Sequence, residues 1–157
     1  MKKVKNICLL GAVITILVLT AFSCKSHKAT TVTPTPQFVT DEEWELVSII
    51  GKDVVYQEGQ HKATIHFNPE AGTFGGSNGC NQYFGSFKDL GNGKMALGNF
   101  NGTKRACPES FSKLEKTYMQ VIHRCDGYRL DAYTLELLQG DKVLLTFEKA
   151  IENPSRQ

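Results

Sequence analysis

Residues 108–124 read PESFSKLEKTYMQVIHR, and this stretch decides the fold class of the chain. Pro108 suits the first helical position, because its missing N–H would be unpaired there in any case. Glu109 complements the positive amino end of a helix, and Gly127 interrupts the pattern. We predict one amphipathic helix that begins at Pro108 and ends near Arg124. Its apolar face has helical spacing and consists of Phe111, Leu114, Tyr118, Val121 and Ile122.

Upstream of this helix the pattern is that of β-strands. Residues 43–50 and 62–67 alternate apolar and polar side chains, and residues 54–56 are predicted as a further short strand. In the second segment Ala63, Ile65 and Phe67 fall on one face. His66 falls on the opposite face and is expected to be exposed.

Glycine dominates the chain between the first strands and the helix, with eight glycines among residues 68–98. This spacing favours tight turns and bent strands, in which Tyr83, Phe84 and Phe87 are predicted to lie in the core. After the helix, three strands are predicted at 128–133, 134–138 and 143–147, the last two joined by a hairpin at Gly140-Asp141. The fold class is therefore α+β, mostly β: a compact antiparallel sheet or an open barrel-like domain with one helix.

The amino-terminal residues have the pattern of an export signal. Three lysines within the first five residues precede an apolar run at 7–22, which is shorter than the roughly 20 residues of a membrane span. The run ends in Leu19-Thr20-Ala21-Phe22-Ser23-Cys24, which resembles the lipobox of bacterial lipoproteins. That resemblance implies that Cys24 carries a diacylglycerol and an acylated amino group. An ordinary signal peptide cut near Ala21 and an uncleaved anchor are the alternatives.

Four regions follow from this interpretation. We predict a signal peptide at 1–23, an acylated cysteine with a Thr/Pro-rich tether at 24–40, a folded domain at 41–151 and a tail at 152–157. Two or three acyl chains would hold the protein on a membrane permanently. No acidic residue follows Cys24 directly, and by analogy this favours the outer membrane over the inner one.

Charge and motifs argue against several functions. The whole chain has a formal charge of +2, but from Asp41 onward 13 Lys/Arg face 16 Asp/Glu, a balance of −3, so nucleic acid is not an expected partner. The histidines His61, His66 and His123 stand in no nucleophile, zinc-ligand or Cys-His arrangement. We therefore predict no catalytic residues, no metal and no cofactor, and we expect a monomer.

Three cysteines remain for the domain once Cys24 is acylated: Cys80, Cys107 and Cys125. A helix between Cys107 and Cys125 would separate them by roughly 25 Å, whereas a disulfide needs Cα atoms within about 7 Å. Cys80 must then pair with one of them or stay reduced and buried. We favour Cys80 with Cys107, because the glycine-rich loop can approach the helix start. Cys125 would be a buried structural thiol or a site for mixed disulfides.

The polar residues beside Cys80 have two interpretations. Asn78, Asn81, Gln82 and Tyr83 could form a loop that recognises a ligand or a partner protein. Alternatively, the two asparagines satisfy the backbone of a turn, which asparagine does well.

Several motifs together resemble the META domain, the HslJ-like family of bacterial envelope proteins. They are Trp44-Glu45-Leu46, Gly79-Cys80-Asn81-Gln82-Tyr83, Thr103-Lys104-Arg105-Ala106-Cys107, Glu115 and Leu135-Glu136-Leu137. The resemblance implies a compact β-rich fold with one helix, a role tied to envelope stress, and no established catalysis. The chain departs from the family at Arg105, where methionine is usual, and at Cys125. We expect a membrane-tethered envelope protein that binds a partner protein or supports envelope integrity. The alternatives are a receptor for a small or lipidic ligand in a β-rich cavity and a hydrolase with an unrecognised site.

Overall fold

The computed structural model describes residues 42–150, so the predicted signal peptide, Cys24, the tether and the tail at 152–157 lie outside the described residues. The elements within that range are β1 (Glu43–Ile49), β2 (Lys52–Asp53), β3 (Thr64–Asn68), β4 (Thr73–Ser77), β5 (Gln82–Gly91), β6 (Lys94–Gly102), α1 (Glu109–Ile122), β7 (Gly127–Leu130), β8 (Thr134–Gln139) and β9 (Lys142–Lys149). The strand predicted at 54–56 is wrong. Residues 54–57 have no regular structure, and only Lys52–Asp53 pairs with β1.

The predicted helix is confirmed to within two residues at each end. Pro108 is the N-cap residue, and its carbonyl accepts the N–H groups of Phe111 and Ser112. The C-cap is His123. Tyr118, Val121 and Ile122 form the buried part of its apolar face.

The nine strands of the described region form one antiparallel sheet whose order follows the chain, apart from the edge strand β2. β1 pairs with β3 on one side and with β9 on the other, so the sheet curls back on itself. β6 meets β7 only at Lys94 and Gly127. The α+β, mostly β prediction is confirmed, but the sheet is not a clean barrel, because this junction is a single residue pair.

Large side chains fill the interior of the curled sheet. Trp44, Tyr118 and Phe147 are among the largest fully buried residues. Tyr83 and Phe87 are buried as predicted, whereas Phe84 is 57% exposed, which contradicts its predicted core position. Successive side chains of β5 point to opposite faces of the sheet, so Phe84 cannot share the buried face of Tyr83.

Glycine is needed at one strand position and at one turn of this fold. A Cβ atom at Gly85 would lie 2.5 Å from the carbonyl oxygen of Gly98. Gly140 has φ +60° and turns the β8–β9 hairpin, as predicted. Within residues 42–150, no helix is both long and apolar enough to cross a membrane.

Candidate functional site

A disulfide fixes the loop between β4 and β5 against the segment that leads into α1. It joins Cys80 to Cys107, whose Cα atoms are 6.2 Å apart, and this is the pairing that the sequence favoured. Cys125 is the free cysteine of the described region and is buried. Its thiol donates to the carbonyl of Val121 at 3.6 Å, and burial raises its pKa to about 12. Cys125 is therefore placed as a structural thiol of low reactivity.

Asn78 holds the loop together from within. Its side-chain oxygen accepts the backbone N–H groups of Cys80 at 3.1 Å and of Asn81 at 2.7 Å. Its backbone N–H donates to the carbonyl of Asn81 at 2.9 Å. Its side-chain amide donates to Oε1 of Glu115 on α1, at 3.1 Å. The loop is thus bonded both to itself and to the helix.

Asn81 connects three separate parts of the chain. Its Oδ1 accepts the hydroxyl of Thr103 and the backbone N–H of Arg105, both at 2.8 Å. Its Nδ2 donates to Oε1 of Glu115 at 3.0 Å and to the carbonyl of Arg105 at 3.3 Å. One buried amide therefore ties the β4–β5 loop to the β6–α1 segment and to the helix.

These contacts show that the two asparagines of the predicted loop have a structural role. Asn78 and Asn81 are each only 4% exposed and use their amides inside the protein. Arg105, the position where the family usually has methionine, donates from its guanidinium to the carbonyl of Cys80 at 2.9 Å. We call the residues Asn78, Asn81, Thr103, Arg105 and Glu115, with the disulfide, the asparagine network.

Tyr83, the fourth loop residue predicted, belongs to the core below this network. Its hydroxyl donates to the carbonyl of Thr64 at 2.8 Å and lies 2.6 Å from the hydroxyl of Tyr118. Burial raises the pKa of both tyrosines well above the ordinary value of 10.0. Both therefore stay neutral at physiological pH and act as a buried hydrogen-bonded pair.

One cluster in the described region has the composition of a metal site. Ligand-type atoms of Cys80, Cys107 and Glu115 lie within 4.8 Å of one another. The two sulfurs are bonded to each other, however, and a metal ligand must be a thiolate. The carboxylate already accepts hydrogen bonds from two amides. The disulfide and the network account for this cluster without an ion.

A shallow groove of about 490 Å³ lies between the end of β6 and the helix. Residues 100–104 form one wall, and Met119 and His123 form the other. The rings of Phe100 and His123 are in contact, with centroids 3.8 Å apart. Gln82 is exposed and lines this groove, so it is the residue of the predicted loop that faces solvent.

A model of the META domain family matches residues 37–151 of this chain. The chain belongs to the META domain family. Its fold is similar to an NMR structure of a protein from Burkholderia xenovorans, with a TM-score of 0.55 and 25% identity over 71% of this chain and 83% of that one. A second NMR structure gives a TM-score of 0.51 and 23% identity, covering 69% and 90% of the two chains. Comparison with curated protein sequences gives no match.

In this META domain, three of the five motifs that carried the family resemblance meet in one place, and the other two lie on β1 and β8. The segments around Cys80 and around Cys107, together with Glu115, form the asparagine network. The sequence included Glu115 in the resemblance but predicted no role for it. In the structure, the Glu115 carboxylate is the shared acceptor for the side-chain amides of Asn78 and Asn81. The sequence did not identify Phe100 or Lys104 as groove residues, although Lys104 belongs to one of these motifs, because only the folded chain brings them opposite the helix.

Proposed function

We propose that this chain is a lipid-anchored protein of the bacterial cell envelope, whose META domain acts by binding rather than by catalysis and supports envelope integrity under stress. The disulfide between Cys80 and Cys107 is the observation that carries this proposal. Disulfides persist outside the reducing cytosol, which agrees with an export signal that precedes Cys24. The cross-link then stabilises a small domain in the compartment where the anchor would hold it.

The chemistry of the site supports binding over catalysis. An active site keeps a nucleophile or an acid-base group within reach of a substrate. In this domain Asn78 and Asn81 are buried and bonded internally, and Cys125 is a buried thiol with a raised pKa. The interior is filled by side chains such as Trp44 and Phe147, so a ligand is better accommodated at the groove than inside the sheet.

The anchor is tested by labelling cells with radioactive palmitate and comparing the wild type with Cys24→Ala. We expect the label on the wild type alone, and we expect an inhibitor of lipoprotein signal peptidase to cause the precursor to accumulate. Separation of the membranes on a density gradient would then place the protein in the outer-membrane fraction. An unlabelled wild type would contradict the lipid anchor.

The binding role is tested by site-specific photo-crosslinking in intact cells. A photoreactive residue in place of Gln82, beside the groove, should capture an envelope protein. The same residue in place of Tyr133, which is 77% exposed on a different part of the domain, serves as the matched control. Equal patterns of adducts at the two positions would contradict a specific partner at the groove.

A further inference from the structure

We propose that the open edge of β6, with the groove beside α1, binds an extended acidic peptide segment of a partner protein, which adds to the sheet as one more strand. This inference rests on the proposed binding function and names the class of its partner. It follows from the pairing of β6, from the direction of its backbone groups and from the charge of the groove.

β6 is paired along only one of its two sides. It pairs with β5 from Lys94 to Gly102. On its other side, within residues 42–150, it meets another strand only where Lys94 lies opposite Gly127. An unpaired strand edge presents N–H and C=O groups that an extended peptide can take up as a further strand.

The backbone groups of this edge have a defined direction. Met95 donates its N–H to the carbonyl of Asp126, on the β7 side of β6. Because directions alternate along a strand, the N–H of Leu97 points to the same side. At the other end, Thr103 donates to the carbonyl of Gln82 on β5, so Gly102 faces the open side. Leu97 and Gly102 are five residues apart, and both N–H groups face the open side because the register of β6 shifts between Gly98 and Asn101, where Asn99 has φ +51°. The two open positions span at most about 17 Å, the length of one short added strand.

Side chains beside the open edge supply the second contact that such a peptide needs. Phe100 on β6 and Met119 on α1 give apolar surface to the groove. Alternate side chains of an added strand would point toward this surface, while its backbone pairs with β6. Asn101 and Gly102 are exposed there, so they leave the edge accessible.

The charge of the groove selects the partner. Lys104 and His123 line the groove, and none of its lining residues is acidic. Lys116, one turn before Met119 on the helix, is also exposed. From Asp41 onward the chain has a balance of −3, so a groove lined by one lysine and by no acidic residue stands on a domain that is acidic as a whole. This contrast favours an acidic segment of another protein over a second copy, since two copies carry the same net negative charge.

The test uses the full-length protein in a non-ionic detergent and a labelled synthetic peptide of alternating valine and glutamate. We expect binding by fluorescence anisotropy and slower amide hydrogen exchange at residues 97–102. A peptide with lysine in place of glutamate should bind at least about tenfold more weakly, because its charge is reversed. A peptide methylated at alternate backbone nitrogens should lose about as much, because it keeps the charge but lacks one row of donors.

Variants of the protein complete the experiment. Lys104→Glu should weaken binding of the glutamate peptide about tenfold, whereas Lys142→Glu, on the β8–β9 hairpin, should leave it unchanged. Equal binding of the methylated peptide, or no slowing of exchange at 97–102, would overturn the strand-addition proposal. Protection of the same amides by self-association would also overturn it, in favour of a second copy. None of these results depends on the anchor, which the palmitate experiment tests separately.

Discussion

The side-chain amide of Asn81 donates to the same Glu115 carboxylate oxygen that Asn78 reaches, at 3.0 Å and 3.1 Å respectively. One helix residue therefore satisfies two buried amides of a loop that is more than thirty positions away in the chain. This contact explains why the loop and the helix form one unit. It also yields the first of four predictions about stability and reactivity.

Glu115→Ala should lower the free energy of unfolding by about 2 to 3 kcal/mol, because two buried amide donors lose their acceptor. Glu115→Gln keeps a carbonyl oxygen and should cost about half as much. Lys113→Ala, at an exposed position of the same helix, is the control and should change stability by no more than about 0.5 kcal/mol. Urea unfolding followed by circular dichroism measures all three, and equal effects of the alanine variants would refute the network.

The disulfide should contribute about 3 to 4 kcal/mol, because it closes a loop with a sequence separation of 27. We expect the double variant Cys80→Ser/Cys107→Ser to unfold at correspondingly lower urea concentration. Reductant should lower the urea midpoint of the wild type by a similar amount and leave the midpoint of the double variant unchanged. Two free thiols at Cys80 and Cys107 in protein purified from an oxidising compartment would contradict the cross-link.

The hydroxyl pair of Tyr83 and Tyr118 should respond unequally to substitution. Tyr83→Phe removes the donor to Thr64 and the acceptor of the Tyr118 hydroxyl, so we expect a loss of about 2 to 3 kcal/mol. Tyr118→Phe leaves the bond from Tyr83 to Thr64 in place and should cost about 1 kcal/mol. Thermal unfolding distinguishes the two variants. A larger loss of stability for Tyr118→Phe than for Tyr83→Phe would contradict the assigned direction of these hydrogen bonds.

Cys125 should make the protein less stable in alkali. Its pKa is raised from 9.0 to about 12 in the folded state, so the unfolded chain loses its proton first as pH rises. The stabilisation from the buried, protonated Cys125 thiol is therefore fully present below about pH 9. Between about pH 9 and about pH 12 it is lost, and the free energy of unfolding falls by up to roughly 1.4 kcal/mol per pH unit. The variant Cys125→Ser should show a shallower decline in urea unfolding over this range.

Tyr56 and Tyr128 also have a pKa raised to about 12 by burial, and they affect the wild type and Cys125→Ser alike. The difference between the two proteins therefore isolates the thiol. Native protein should resist iodoacetamide at Cys125 and react only in urea. Rapid alkylation of the folded protein would instead support the alternative that Cys125 forms mixed disulfides.

Local signals in the sequence predicted most of the fold. The apolar spacing from Phe111 to Ile122, with Pro108 before it, predicted α1. The apolar face of a helix depends only on the spacing of residues within one segment, so the local sequence is enough to identify it. The alternation in β3 and the turn at Gly140 are equally local. The short apolar segment at 54–56 misled the prediction, since it has the composition of a strand but leaves β1 after one backbone hydrogen bond, from Val54 to Val47.

The sequence by itself determined the helix, most strands, the family and the favoured partner of Cys80, because each depends on spacing or on a motif. Tertiary structure alone decided that Asn78 and Asn81 share Glu115, that Phe84 faces solvent, and that β6 keeps an open edge beside Lys104. These features depend on the register between strands and on where the helix lies across the sheet. Distant segments set both jointly, so no single stretch of the chain specifies them.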